Sequence, residues 1–197
     1  MTDLDTEAPT DAHRPLDKRQ RLVAAGTRMF HQQGVEGTTL ADIAKEADVP
    51  LGNIYYYFKT KDELVEAVIE AAERDLQIQL ASLDRHRSPK ARLKALVHSL
   101  TDQREIVAQY GCPMGSLCSE LDKRIDGLDR AAAKLFAVIL DWVELQFRGM
   151  GRKDARDLAV ALLAAYQGIS LLTNTLRDPE LMIREGRRLD RWIDSLA

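Results

Sequence analysis

The stretch TTLADIAKEADVPLGNIYYYFKTKDEL, residues 38–64, predicts two short amphipathic helices separated by a tight turn. Thr39 and Asp42 form a capping pair at the start of the first helix, since a threonine hydroxyl accepts a hydrogen bond from a free N–H of the first turn. The second helix is predicted over residues 50–58, with Pro50 suited to its first turn. Two such helices in succession are typical of a helix-turn-helix unit, whose second helix enters the major groove of DNA.

A basic helix precedes this stretch and a longer one follows it. Apolar residues recur at helical spacing from Lys18, and Gly34 is a suitable C-terminal stop. Thr60 with Glu63 predicts the start of a further helix that runs to about residue 83. The first of these helices completes a three-helix unit, and the second joins that unit to the rest of the chain.

The charge of the chain is unevenly distributed. Residues 14–61 carry eight Lys or Arg against five Asp or Glu, which is a net charge of +3, although the whole chain has −3. Residues 1–13 carry four acidic residues and no Lys or Arg. The positive charge therefore lies where the helix-turn-helix unit would meet phosphate.

Residues 38–64 resemble the DNA-binding region of the TetR family, and the resemblance extends over about residues 18–70. Two positions depart from the family pattern, because Asp48 stands where glycine is usual in the turn and Pro50 where a small polar residue is usual. Asp tolerates a left-handed backbone, so the turn is expected to form. The matching residues are Thr39, Ile43, Ala44, Ala47, Val49, Gly52, Tyr55, Tyr57, Phe58, Lys61 and Leu64.

The polar, acidic composition of the N-terminus predicts a disordered arm at residues 1–15. The resemblance implies an all-α fold in two parts after it. An N-terminal three-helix helix-turn-helix DNA-binding domain would occupy residues 16–62, and a larger C-terminal helical ligand-binding and dimerisation domain residues 63–197. It also implies contacts to the phosphates and bases of a double-stranded operator. These contacts would come from Thr38, Thr39, Leu51, Gly52, Asn53, Tyr55, Tyr56, Tyr57, Lys59 and Lys61.

The chemistry of these residues agrees with such roles, since glycine allows close approach, an amide reads adenine, and tyrosine hydroxyls bind phosphate. Two alternatives stay open. Tyr55 shares a face with Ile54 and Phe58 and is equally suited to packing. Lys59 and Lys61 are alternatively solvated surface charges.

Beyond Ser88 the pattern predicts helices at about 90–110, 113–124, 127–149, 153–177 and 179–196. The family implies that the last two pair with a second copy of the chain, and a palindromic operator also requires a homodimer. The alternative is that their apolar stripes pack within one subunit. These stripes are Leu158, Leu162, Ala165, Ile169 and Leu172, beside the small Ala161, Ala164 and Gly168, and then Leu189, Trp192 and Ile193.

A ligand pocket is expected among the middle helices, with Trp142 and Gln146 as its favoured members. Most residues of such a set are ordinary core in any helical protein. The candidates are Leu100, Gln103, Val107, Met114, Leu117, Cys118, Leu121, Phe136, Ile139, Trp142, Val143, Gln146 and Tyr166.

Two cysteines occur in YGCPMGSLCSELD, residues 110–122. Cys112 stands at a helix N-terminus, where thiols react more readily with oxidants and electrophiles, so a redox sensor using Cys112 and Cys118 is one interpretation. The simpler interpretation is a pair of small buried apolar residues. No histidine lies near either cysteine in the sequence, which disfavours an enzyme with a cysteine nucleophile.

Together these features predict a cytoplasmic homodimeric repressor that a small-molecule effector releases from a palindromic operator. An effector-independent DNA organiser or activator of the same fold is the alternative. No catalytic residue, cofactor or metal site is predicted, and no run of about 18 apolar residues suggests a membrane span.

Overall fold

The computed structural model describes residues 16–124 and 127–196, so the predicted arm at residues 1–15 lies outside the described residues. The described part is all-helical and contains ten helices, which confirms the all-α fold class. They are α1 (Lys18–Gln33), α2 (Leu40–Glu46), α3 (Leu51–Tyr57), α4 (Lys61–Leu83), α5 (Pro89–Thr101), α6 (Arg104–Tyr110), α7 (Pro113–Leu121), α8 (Leu128–Gly149), α9 (Ala155–Leu176) and α10 (Pro179–Ser195).

The helix-turn-helix unit forms through the predicted local signals. Helix α1 ends at Gly34, whose φ of 81° lies in the region that favours glycine. Thr39 and Asp42 form the predicted reciprocal cap of α2. Asp48 adopts the left-handed conformation at φ 51°, so the turn forms without glycine, as expected. Pro50 precedes α3 as its N-cap and provides no side-chain cap, whereas it was expected inside the first turn.

Helix α4 belongs to two hydrophobic cores. Its first half, with Leu64, Val65 and Val68, packs with α1, α2 and α3, and its last turns contribute Leu80 and Leu83 to the core of the C-terminal helices. The Thr60 hydroxyl caps α4 at Glu63 as predicted. One continuous helix therefore joins the DNA-binding unit to the larger region.

The C-terminal helices differ from the prediction mainly between α5 and α6. The helix expected over residues 90–110 is interrupted after Thr101, and α6 starts at Arg104. Neither glycine nor proline marks this interruption, so the sequence carried no signal for it. Helix α8 ends at Gly149, as predicted, and the chain turns at Met150 and Gly151.

Helix α9 is the part of the described chain that bears on the expectation about membrane spans. Within the described residues it is the one helix long and apolar enough to cross a membrane by length and composition. It packs against α6, α8 and α10, and Leu162, Tyr166 and Ile169 are buried in the C-terminal core. Its apolar character therefore fits a core helix whose outer face also carries apolar residues.

Candidate DNA-binding surface and ligand cavity

Helix α3 presents a continuous solvent-facing surface. Tyr55 and Tyr56 are 49% and 78% exposed, and Leu51, Gly52 and Lys59 are exposed beside them. No atom would lie within 4 Å of a Cβ at Gly52, so its backbone is open to close approach. This surface, Leu51, Gly52, Tyr55, Tyr56 and Lys59, is the candidate DNA-binding surface.

Asn53 and Tyr57 lie at the edge of this surface. Both are half-buried, and Tyr57 packs against the N-terminal core while its ring meets Tyr56 edge-on at 5.0 Å. Of the three tyrosines it is Tyr57, and not Tyr55, that has the packing role considered for Tyr55. Tyr57 therefore supports the ring of Tyr56, and only part of its own side chain is exposed for contact with DNA.

The two threonines before α2 differ in position. Thr38 is fully buried, and its hydroxyl donates to the Gly34 carbonyl at 2.6 Å. The expectation that its side chain contacts DNA is therefore wrong. Thr39 is exposed, and its hydroxyl donates to Asp42 Oδ2 at 2.5 Å. This bond, together with one from the Thr39 backbone N–H to the same carboxylate, holds the pKa of Asp42 below its usual range. Thr39 thus fixes the start of α2 and stands at the surface.

Three basic side chains of the DNA-binding unit donate hydrogen bonds to backbone carbonyls within it. Lys61 Nζ donates to the Val35 carbonyl at 3.0 Å and Lys59 Nζ to the Tyr55 carbonyl at 2.6 Å. An ammonium has three donors, so each lysine keeps hydrogen-bonding capacity for phosphate. Arg21 was not singled out from the sequence, yet it donates to the Asp48 carbonyl at 2.8 Å and so steadies the turn before α3.

A cavity of about 370 Å³ lies where α1 meets the C-terminal helices. We call it the central cavity. Six of the predicted pocket residues line it, namely Leu100, Gln103, Met114, Leu117, Ile139 and Tyr166. The further lining residues are Thr27, Phe30, His31, Val68, Ala72, Asp75, Leu76, Gln79, Leu96, Cys112, Pro113, Leu135 and Leu163.

The remaining pocket candidates lie outside the lining. Trp142 Nε1 donates to Asp84 at 3.3 Å, and the buried Gln146 accepts from Arg92 at 3.3 Å. Trp142 therefore serves the contact of α8 with the end of α4, and Gln146 its contact with the start of α5. Four others pack in the cores or at their edges, namely Val107, Cys118, Leu121 and Val143, and Phe136 is half-buried on α8.

Both cysteines are free and have structural contacts. Cys112 is 8% exposed and caps α7, its sulfur accepting from the Gly115 N–H at 3.4 Å. Burial raises the pKa of Cys118 to about 11, so it is a neutral thiol at neutral pH. The sequence expectation that no histidine is near them needs correction, because His31 Nε2 donates to the carbonyl of Gly111 at 2.8 Å and lines the same cavity as Cys112.

Helix α7 joins the central cavity to the DNA-binding unit. Met114 and Leu117 line the cavity, and one turn later the Glu120 carboxylate accepts from the backbone N–H groups of Val35 and Glu36 at 2.8 and 2.7 Å. Just beyond the helix, Arg124 forms a two-bond ion pair with Asp62 at the start of α4. These contacts join residues that are far apart in the sequence, so no local sequence pattern predicts them.

The outer face of α9 is apolar and exposed. Val160, Leu171, Leu172 and Leu176 are 48–67% exposed, and small residues lie among them. The stripe predicted for α10 packs inside the subunit instead, since Leu189 and Ile193 are buried and the ring of Trp192 meets Phe147 at 6.1 Å. The alternative of packing within one subunit therefore holds for α10 and also for Leu162 and Ile169 of the predicted α9 stripe, which are buried, whereas Leu172 of that stripe lies on the exposed apolar face.

The model of the family "Bacterial regulatory proteins, tetR family" matches residues 22–68, which span α1 to the first part of α4. The HTH-type transcriptional repressor DhaR from Mycobacterium sp. (strain GP1) is 31% identical over 178 residues, covering 82% of this chain and 85% of DhaR. The HTH-type transcriptional regulator LmrA from Bacillus subtilis is 28% identical over 167 residues, covering 82% and 89% of the two chains.

A TetR transcriptional regulator from Legionella pneumophila has a similar fold, with a TM-score of 0.82 over 93% of this chain and 98% of its own, at 19% identity. These relatives are regulators, so the chain is a DNA-binding transcriptional regulator and not an enzyme. The helix-turn-helix match at its N-terminus and the relationship to DhaR over most of its length establish that the chain belongs to the TetR family.

Proposed function

We propose that this regulator is a homodimeric repressor that leaves a palindromic operator when a small molecule fills the central cavity. The supporting observation is that α1 of the DNA-binding unit lines the cavity directly, through Thr27, Phe30 and His31. A molecule in the cavity therefore contacts the DNA-binding unit and the C-terminal helices at once. Its affinity then depends on the position of the DNA-binding unit relative to the C-terminal helices. Such a difference in affinity between two arrangements is what a ligand needs in order to shift their populations.

Helix α4 supplies another route from the cavity to DNA. Val68 and Ala72 line the cavity, while the first turn of the same helix carries Lys61 and Asp62 beside the candidate DNA-binding surface. A helix is stiff over this length, so a displacement at Ala72 is transmitted to its N-terminus. The proposed effect is a change in the separation of the two recognition helices in the dimer, which lowers operator affinity.

We infer that the dimer forms through the outer face of α9, with α10 alongside. Gly168 and Leu172 of α9 line a shallow groove with Leu181 and Arg184 of α10. Exposed apolar side chains of this size are costly in water and become stabilising when a second copy covers them. A two-fold arrangement also places two α3 helices on one face of the duplex. Because it acts on DNA, we place the protein in the cytoplasm.

The proposed contacts to DNA are direct for α3 and supporting for its neighbours. Tyr56 and Lys59 would bind phosphate, Leu51, Gly52 and Tyr55 would face the groove, and Asn53, Tyr57, Thr39 and Lys61 would act from the edge. Repression rather than activation is proposed because the relative DhaR is named a repressor.

The test is a fluorescence-anisotropy titration of the protein against DNA flanking its own gene, with and without a panel of apolar small molecules. The Ala72→Phe variant places a ring in the cavity, and Ala81→Phe on the exposed side of the same helix is the matched control. We expect one class of compound to weaken operator binding of the wild type and of Ala81→Phe, and to leave Ala72→Phe unaffected. Specific DNA binding that responds to no compound would instead favour an effector-independent organiser.

A further inference from the structure

The lining of the central cavity contains an acidic side chain but no lysine or arginine side chain. Its lining contains one carboxylate, Asp75 of α4, and one histidine, but neither lysine nor arginine. Lys and Arg are common in the chain, with 28 among 197 residues, so their absence from the lining does not follow from the composition. An anionic molecule would meet neither a lysine nor an arginine here and would be repelled by Asp75.

Gln79, Gln103 and Thr27 of the lining each use one hydrogen-bond donor within the protein. Gln79 Nε2 donates to Ser99 Oγ at 2.6 Å, and the Gln103 amide donates to the Ser99 carbonyl at 3.5 Å. The Thr27 hydroxyl donates to the carbonyl of Val23 at 3.0 Å. Since a carbonyl oxygen only accepts, the orientations of Gln103 and Thr27 are determined by their partners.

His31 follows the same rule. Its Nε2 lies 2.8 Å from the Gly111 carbonyl, which only accepts, so this nitrogen donates to that carbonyl and is used within the protein. Within the described residues, the amide oxygens of Gln79 and Gln103 accept no hydrogen bond from the protein. The cavity therefore offers acceptors and a negative charge to whatever fills it.

We propose that the central cavity is selective for an apolar molecule that carries a cationic hydrogen-bond donor, such as a protonated amine, with Asp75 as its counter-ion. The apolar walls, including Leu100, Met114 and Ile139, take the hydrocarbon part. The Phe30 and Tyr166 rings also line the cavity, and aromatic rings attract cations. This inference rests on the proposed role of the cavity as the effector site and specifies the chemistry of the effector.

Three probes with one ring system separate charge from size: naphthylmethylamine, which is protonated at neutral pH, neutral naphthylmethanol and anionic naphthoate. Affinity is measured by isothermal titration calorimetry on the full chain. We expect the amine to bind about tenfold more tightly than the alcohol, and the carboxylate more weakly than both. Asp75→Asn is expected to remove the preference for the amine, while Glu70→Gln, an exposed change on the same helix, keeps it.

The outcomes separate this inference from the proposed function. If the alcohol or the carboxylate binds as tightly as the amine, or if Asp75→Asn retains the preference, the selectivity is wrong whether or not DNA is released. If none of the three binds, the selectivity is overturned as well. If the amine binds selectively and operator affinity measured by anisotropy does not change, the selectivity stands and effector release is wrong. Asp75 is exposed, so Asp75→Asn is expected to fold normally.

Discussion

The Glu120 carboxylate accepts a hydrogen bond from the backbone N–H of Val35 at 2.8 Å, and its second oxygen accepts one from Glu36 at 2.7 Å. The residue at the end of α7 thereby holds the turn between α1 and α2. Two charge-assisted bonds to adjacent N–H groups define the position of that turn more closely than apolar packing does. Through this side chain, α7, which lines the cavity, is linked to the DNA-binding unit.

Glu120→Gln is expected to weaken this link. A glutamine has one amide oxygen and no charge, so it satisfies one N–H less strongly and leaves the other without a partner. We expect a loss of about 1–2 kcal/mol in the free energy of unfolding, measured by urea denaturation. We also expect a smaller effect of ligand on operator affinity. Ser119→Ala, an exposed neighbour, is the control, and equal coupling in both variants would contradict this role.

Gly34→Ala and Gly52→Ala form a contrasting pair. Gly34 has φ 81° and ψ 163°, and a Cβ there would lie 3.1 Å from Glu120, so we expect a loss of about 1–3 kcal/mol in stability. Gly52 lies in a helix with open space around it, and alanine is expected to preserve or raise stability. Gly52→Ala should instead lower operator affinity, because the added methyl group meets DNA. Thermal unfolding and anisotropy together test both, and unchanged DNA binding in Gly52→Ala would remove Gly52 from the interface.

Local signals explain why the helix-turn-helix unit was predictable from sequence. The caps at Thr39 and Thr60, the stop at Gly34 and the tolerance of Asp48 for a left-handed backbone each depend on a few neighbouring residues. Local information did not reveal that Thr38 is buried, because its partner is the carbonyl of Gly34 on the preceding helix end.

The pocket was predictable only in part. Residues 135, 139, 142 and 146 lie on one face of α8, so the sequence alone does not tell how far along that face a cavity extends. Leu135 and Ile139 line it, while one to two turns later Trp142 contacts the end of α4 and Gln146 the start of α5. The contribution of α1 through His31 depends on a contact to Gly111, 80 residues away. Such contacts follow from tertiary packing and carry no signature at either position.

Tyr56→Phe tests the surface of α3 with little effect on folding. The side chain is 78% exposed, so we expect stability to change by less than about 0.5 kcal/mol. Loss of one hydroxyl bond to phosphate should weaken operator binding about fivefold. Tyr57→Ala is expected to lower stability instead, because that ring packs on the core. Full DNA affinity in Tyr56→Phe would show that its hydroxyl makes no contact.

Lys59→Gln tests the electrostatic part of binding. Each phosphate that a lysine neutralises contributes about one unit to the slope of log K against log salt concentration. We expect that slope to fall by about one in Lys59→Gln and to stay the same in Tyr56→Phe, since tyrosine carries no charge. Anisotropy titrations over a salt series give both slopes, and equal slopes for Lys59→Gln and the wild type would place this lysine away from phosphate.

Ala164→Glu tests the dimer at the outer face of α9. Ala164 is exposed in the subunit and lies among the small and apolar residues of that face. A carboxylate there would be buried without a partner in a dimer, while a separated subunit keeps it in water. We expect sedimentation velocity to show a monomer with native helix content and operator affinity reduced at least tenfold, because one recognition helix then binds alone. Ala137→Glu, exposed on α8, controls for added charge. A dimeric Ala164→Glu protein with full operator affinity would move the interface away from α9, and the exposed Leu171 and Leu172 would then require another explanation.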